Sequence, residues 1–161
     1  MTDFQNIYNG NYPKLFRVAV KMVGNRDAAG DIVHDVFVKY YERAMEGHLI
    51  LYPSSWLYRV MINKCMDFLK QSTKFQTIRP SDHERADDQD DLKEQRVAMV
   101  HAALSALNPN ERALMALYSE GMSYREIAES CGMRFSSVGK TLSRTLEKLE
   151  NELKKQKYEL Y

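Results

Sequence analysis

Ser136, Ser137, Lys140, Thr141, Arg144 and Lys148 are spaced through SSVGKTLSRTLEK so that they share one side of a helix. Hydroxyl and cationic side chains in that arrangement can reach base edges and phosphate oxygens, because an α-helix fits the DNA major groove. A second set, Arg59, Asn63, Lys64, Asp67 and Lys70, forms the mixed polar side of an upstream helix. A third, Asp31, His34 and Asp35, belongs to an acidic half-face directed at something other than DNA. Asp31-x-x-His34 has the form of half a di-iron bundle site, which requires a second such pair; His48, His83 and His101 supply none. No Ser, Cys or Lys has a recognisable base and orienting partner, so the sequence does not read as an enzyme. It implies neither a cofactor nor a metal.

The DNA-facing set needs a support, and SYREIAESCGMRFSSVGKTLSRTLEKL provides one: two helices joined by a tight turn. Ser123 followed three residues later by Glu126 is a capping-box pattern that starts the first helix, with Ile127 and Ala128 on its inner side. Cys131-Gly132 ends it; Gly132 supplies the backbone freedom of a sharp turn, and Ala128 is small enough for a second helix to cross closely. Val138, Leu142, Leu146 and Leu149 form the apolar stripe of that second helix. Gly139 lies within it, at a cost of about 1 kcal/mol relative to Ala. The competing reading is a helical hairpin with a solvated polar side. Small residue, glycine turn and inner Val at helix-turn-helix spacing favour DNA binding.

Upstream, Phe4, Ile7, Tyr8, Tyr12, Leu15, Phe16, Ala19, Val20 and Val23 recur at helical spacing. Pro13 suits the first turn of a helix and Gly24 a stop, so the chain is predicted to open with two helices. Another runs from about Arg26 to Met45, with Ile32, Val33, Val36, Phe37 and Tyr40 inward. Ser54 is the expected cap of a long helix to about Gln71, on which Leu57, Val60, Met61 and Phe68 face the core. Trp56 is read as a core anchor. Between Ser72 and Asp91 the pattern fails, Pro80 interrupts, and DDQDD concentrates negative charge; this predicts a linker. A calcium loop would need a glycine turn and a terminal Glu that this run lacks. Helical pattern resumes near Leu92, with Val97, Val100, Leu104 and Leu107 inward. Asn108-Pro109 restarts a helix carrying Leu114 and Leu117 inward.

The organisation is therefore all-α: a helical domain at 1–71, an acidic linker at 72–95 and a helix-turn-helix domain at 96–161. A length of 161 residues and an apolar fraction of 44% accommodate two small domains. The formal net charge of +1 divides into +2, −3 and +2 over residues 1–70, 71–95 and 96–161. Nearly neutral ends predict weak non-specific DNA affinity, which scales with the phosphates neutralised, so a partner is expected to supply the rest. Cys65 and Cys131 form no spaced framework, and no signal peptide or membrane-spanning run is present, which predicts a reduced cytoplasmic protein without membrane insertion. Cys131 reads as a small buried hydrophobe.

Together the two ends resemble bacterial RNA polymerase sigma factors of the extracytoplasmic-function type in the sigma-70 family. The first resembles sigma region 2 through LFRVAVKMVGNRDAAGDIVHDVFVKYY and WLYRVMINKCMDFLK; the second resembles region 4 through LNPNERALMALYSEGMSYREIAESCGM and the helix after it. The resemblance implies a factor that binds core polymerase and directs promoter-specific initiation. It places Asp31, His34 and Asp35 against the coiled coil of the largest polymerase subunit, with His34 where Gln is usual. It assigns Arg59, Asn63, Lys64, Asp67 and Lys70 to reading and melting the near (−10) promoter element, where Asn63 beside Trp56 and Tyr58 could hold unstacked bases. Arg134, Ser136, Ser137, Lys140, Thr141 and Arg144 would read the far (−35) element, with Gly139 where Lys or Arg is usual. The acidic linker would thread through polymerase along the path of the emerging RNA, or serve as a solvated tether. An anti-sigma partner is also expected. The rival is a regulator that binds DNA through its helix-turn-helix alone, with the N-terminal helices as a dimerisation or sensing module.

Overall fold

Seven helices and no strands make up the computed structural model over its described residues, 2–75 and 91–159. They are α1 (Thr2–Val23), α2 (Arg26–Met45), α3 (Pro53–Phe75), α4 (Asp91–Ser105), α5 (Pro109–Ser119), α6 (Tyr124–Cys131) and α7 (Phe135–Glu159). The all-α architecture agrees with the sequence reading. The middle of the expected linker lies outside the described residues. Its flanks are helical: α3 continues past Gln71 to Phe75, and α4 begins at Asp91.

The two opening helices expected from Pro13 are one, α1. Proline lacks the N–H of the helical ladder, and an interior proline ordinarily breaks or kinks a helix. Here an aromatic column ties the two halves together. Tyr8 stacks on Tyr12 at 5.3 Å and Tyr12 on Phe16 at 5.9 Å, successive one-turn neighbours on both sides of Pro13. Asn11 also donates its side-chain amide to the Ile7 carbonyl at 2.8 Å. Gly24, at φ 73°, then turns the chain, and the Asn25 side chain caps α2 by accepting from the Ala28 N–H.

α1, α2 and α3 close around Leu15, Val18, Ala19 and Met22 of α1, the five inward residues expected of α2, and Leu57, Met61, Ile62 and Cys65 of α3. Burying each large aliphatic side chain contributes about 1.5–3 kcal/mol. Ser54 is not the cap of α3: the helix already starts at Pro53, and the Ser54 hydroxyl donates to Asn11 Oδ1 at 2.9 Å, joining α3 to α1. Trp56 is partly buried against the core, edge-on to Tyr40 at 5.6 Å. Tyr58 is buried, 4% exposed, so its ring is not presented to a ligand in this arrangement.

In the second module the predicted capping box of Ser123 with Glu126 forms, and Asn108, predicted as a cap, forms a second one with Glu111. Gly132 takes the left-handed conformation, φ 69°, at the end of α6. Leu114, Leu117, Ile127, Val138 and Leu142 form the centre. Two expected inward sets shift. Val97 and Val100 are 49% and 46% exposed, because α4 turns Ala103 inward and Leu107 just beyond it completes the contact. On α7, Leu146 is exposed and Thr145 buried; the Thr145 hydroxyl is satisfied by donating to the Thr141 carbonyl at 2.8 Å. The buried line is therefore Val138, Leu142, Thr145 and partly buried Leu149, with Thr145 in the place expected of Leu146.

The modules touch. α5 packs on α1 and α6 on α3, and the buried apolar residues of both form a continuous cluster.

Candidate promoter-recognition surfaces

The exposed side of α2 carries Asp31, His34 and Asp35 within one turn, opposite the buried Ile32, Val33 and Val36. Val38, Tyr41 and Met45 extend that side with exposed apolar groups. A face that mixes carboxylates with apolar patches suits a protein partner better than DNA, whose phosphates would repel it.

On α3 the mixed polar side is arranged as predicted: Arg59, Asn63, Asp67 and Lys70 are exposed and Lys64 is half-buried. Beside its N-terminal half the loop between α2 and α3 frames a groove of about 580 Å³, lined by Arg43, His48, Tyr52, Trp56 and Arg59. Arg43, His48 and Tyr52 were not among the sequence candidates. Their signal is faint, since they lie in or beside a loop with no periodicity, and only the fold brings them to Arg59.

On α7, Ser136, Lys140 and Arg144 are exposed and Ser137 and Thr141 half-buried, and exposed Arg134 immediately precedes the helix, so all six predicted far-element residues lie on or beside its open side. A Cβ at Gly139 would stand 3.5 Å from the half-exposed Tyr124 ring, ordinary van der Waals contact, so the packing of that ring against α7 does not itself require the glycine. Arg125 was missed by the sequence reading; its guanidinium stands over the exposed Phe135 ring at 5.8 Å, adding a cation at the start of α7. Lys148 is engaged elsewhere, paired with Glu111 at 3.0 Å.

Burial acts to raise the Glu111 carboxyl, but the Asn108 N–H and Lys148 outweigh it and hold the group below the ordinary carboxylate value. The two thiols are poor nucleophiles: burial pushes Cys65 up to about 12 and Cys131 up to about 11. Among the described residues no group of three or more His, Cys, Asp or Glu side chains could hold a metal ion. No described helix is long and apolar enough to cross a membrane.

Two helical modules, each with an open polar face and the second built as a helix-turn-helix, define a two-module nucleic-acid-binding protein. Comparison with known proteins sharpens this. The sigma-70 region 2 family matches residues 7–75, and the sigma-70 region 4 family matches residues 98–149. The chain is similar to the ECF RNA polymerase sigma factor SigE of Mycolicibacterium smegmatis, 25% identical over 96% of this chain and 63% of that protein. It is also similar to RNA polymerase sigma factor SigV of Bacillus subtilis, 28% identical over 88% of this chain and 86% of that one. Its fold is shared by the sigma factor RpoE of Bartonella quintana, solved with the anti-sigma factor NepR: TM-score 0.69, 22% identity, covering 96% of this chain and 98% of that one. The chain belongs to the sigma-70 family, in its extracytoplasmic-function form.

Proposed function

We propose that this chain binds core RNA polymerase and directs it to a defined set of promoters, acting in the cytoplasm as a non-enzymatic initiation factor. The observation that carries the reading is the match of both sigma regions, in order, each to one of the two modules. α2 docks on the largest polymerase subunit through Asp31, His34 and Asp35, which sets α3 over the near element. Arg59, Asn63, Lys64, Asp67 and Lys70 contact that element as it melts, and unstacked bases are held beside α3. α7 enters the major groove of the far element with Arg134, Ser136, Ser137, Lys140, Thr141 and Arg144, anchoring on phosphates and reading base edges. This division takes the expected bounds 1–71, 72–95 and 96–161, with the acidic segment as tether.

An anti-sigma protein is the expected antagonist, in keeping with the NepR complex of the Bartonella quintana relative. Promoter binding by the free chain and by the chain with core polymerase separates the proposal from a regulator that uses its helix-turn-helix alone. Fluorescence anisotropy on a labelled promoter library should show weak, unselective binding by the free chain and selective binding once core polymerase is added. Equal selectivity without core would favour the lone regulator.

A further inference from the structure

Phe135, the first residue of α7, is 57% exposed, beside a core that Ile127 and Val138 complete without it. A large ring kept in water next to a finished core adds little to folding. Arg125 of α6 holds its guanidinium 5.8 Å from the centre of that ring. Arg134, the preceding residue, is exposed, and so is Lys140 further along α7. The carboxylates of α6 are engaged: Glu126 in the capping box at Ser123, and Glu129 by the Ser55 hydroxyl at 3.3 Å. The ring thus stands in a frame of cations.

Gly139 keeps that frame open. A long helical side chain covers the turn N-terminal to its own Cα, and for position 139 that turn holds Phe135, on the same side of α7. With glycine there, the ring stays bare. Phe135 also lines, with Arg59, Arg125 and Met133, a groove of about 630 Å³, which leaves room beside the ring for a further group. In a helix-turn-helix the first residues of the recognition helix come closest to base edges. One base-edge group in the major groove suits an apolar ring flanked by cations: the C5 methyl of thymine, which is apolar and lies between rows of phosphates.

We infer that Phe135 is a specificity-determining residue of the far-element interface, packing its ring on a thymine methyl while Arg125 pairs with an adjacent phosphate. The inference rests on the assignment of α7 to that element. Phe135 and Arg144 are about 14 Å apart along α7, roughly four base pairs. The thymine is therefore in a different base pair from any that Arg144 contacts, at the end of the element that receives the start of α7.

The test uses the full chain bound to core polymerase. Selection from a randomised duplex library identifies the far element, and each thymine on either strand is then replaced singly by deoxyuridine, which lacks only the methyl group. One replacement should weaken wild-type binding about fourfold, as expected for one buried methyl. Phe135→Ala, which removes a ring from outside the core, should bind the thymine duplex about fourfold more weakly and respond no further to that replacement. Arg144→Ala should weaken binding yet keep the fourfold response. Arg125→Gln should reduce the slope of log affinity against log salt by about 0.9, and Arg125→Lys should restore it.

A flat scan of thymines, or a Phe135→Ala chain that keeps the full response, would overturn the inference. So would loss of core polymerase from Phe135→Ala in a pull-down with no thymine effect, which would make the ring a protein contact. An unchanged salt slope for Arg125→Gln would overturn the phosphate contact. A holoenzyme that selects no far element would contradict the proposed function too, whereas one that selects an element and ignores its thymine methyls contradicts this inference alone.

Discussion

Arg17 of α1 and Glu120, 103 residues later, form a two-pronged ion pair: Arg17 Nε lies 3.1 Å from both carboxylate oxygens and Nη2 3.0 Å from Oε1. Lys21 adds a third donor at 2.9 Å. Bidentate pairing fixes geometry as well as charge. It explains how a short turn after α5 is held against a helix of the other module.

The Arg17 hydrogen bond leads in holding the Glu120 carboxyl below its ordinary value of 4.5, with Lys21 adding to it against the opposing effect of burial. Glu111 is lowered as well. A carboxyl lowered in the folded state binds fewer protons there than in the unfolded chain. Its contribution is therefore complete above about 4.5 and lost as pH falls through the lower folded value. Thermal melts of the wild type should lose stability steeply below pH 4.5, and Glu120→Gln should flatten that dependence.

The capping boxes give a second expectation. Asn108→Ala and Ser123→Ala each leave backbone donors unsatisfied at a helix start and should destabilise the protein by about 1 kcal/mol. Urea unfolding followed by circular dichroism measures this.

Gly139 offers a stabilising change. A methyl group there meets Tyr124 at 3.5 Å, ordinary van der Waals contact, and relieves the low helix propensity of glycine. Gly139→Ala should raise stability by up to about 1 kcal/mol.

These local features were the legible ones. Caps, glycine turns and the faces of α2 follow from neighbours within four residues, and Arg26–Met45 emerges with its predicted bounds. The single α1 was not legible, because the aromatic stacking that carries it past Pro13 outweighs the usual effect of an interior proline. Val97 and Val100 misled, since helical spacing tells which residues share a face but not whether another helix covers it. Leu146 and Thr145 differ by 100° around α7, and hydrophobicity alone chose the wrong one. Among the candidate site residues, those that share a helix face by spacing were found, whereas Arg43, His48 and Arg125, which only tertiary contact groups with them, were not. The pairing of Arg17 with Glu120 leaves no local trace at all.

The recognition faces predict a separation of effects. Arg144→Ala should weaken holoenzyme binding to the far element by about 1–3 kcal/mol if Arg144 makes a bidentate base contact. Asp35→Ala should reduce association with core polymerase in a pull-down and leave DNA sequence preference unchanged.

In vitro transcription with purified core polymerase tests the central claim most directly. Run-off assays on a genomic fragment library, with start sites mapped by sequencing, should show initiation at a recurring two-element promoter only when this chain is added. Core polymerase that neither retains the chain nor starts RNA at new positions in its presence would contradict the account.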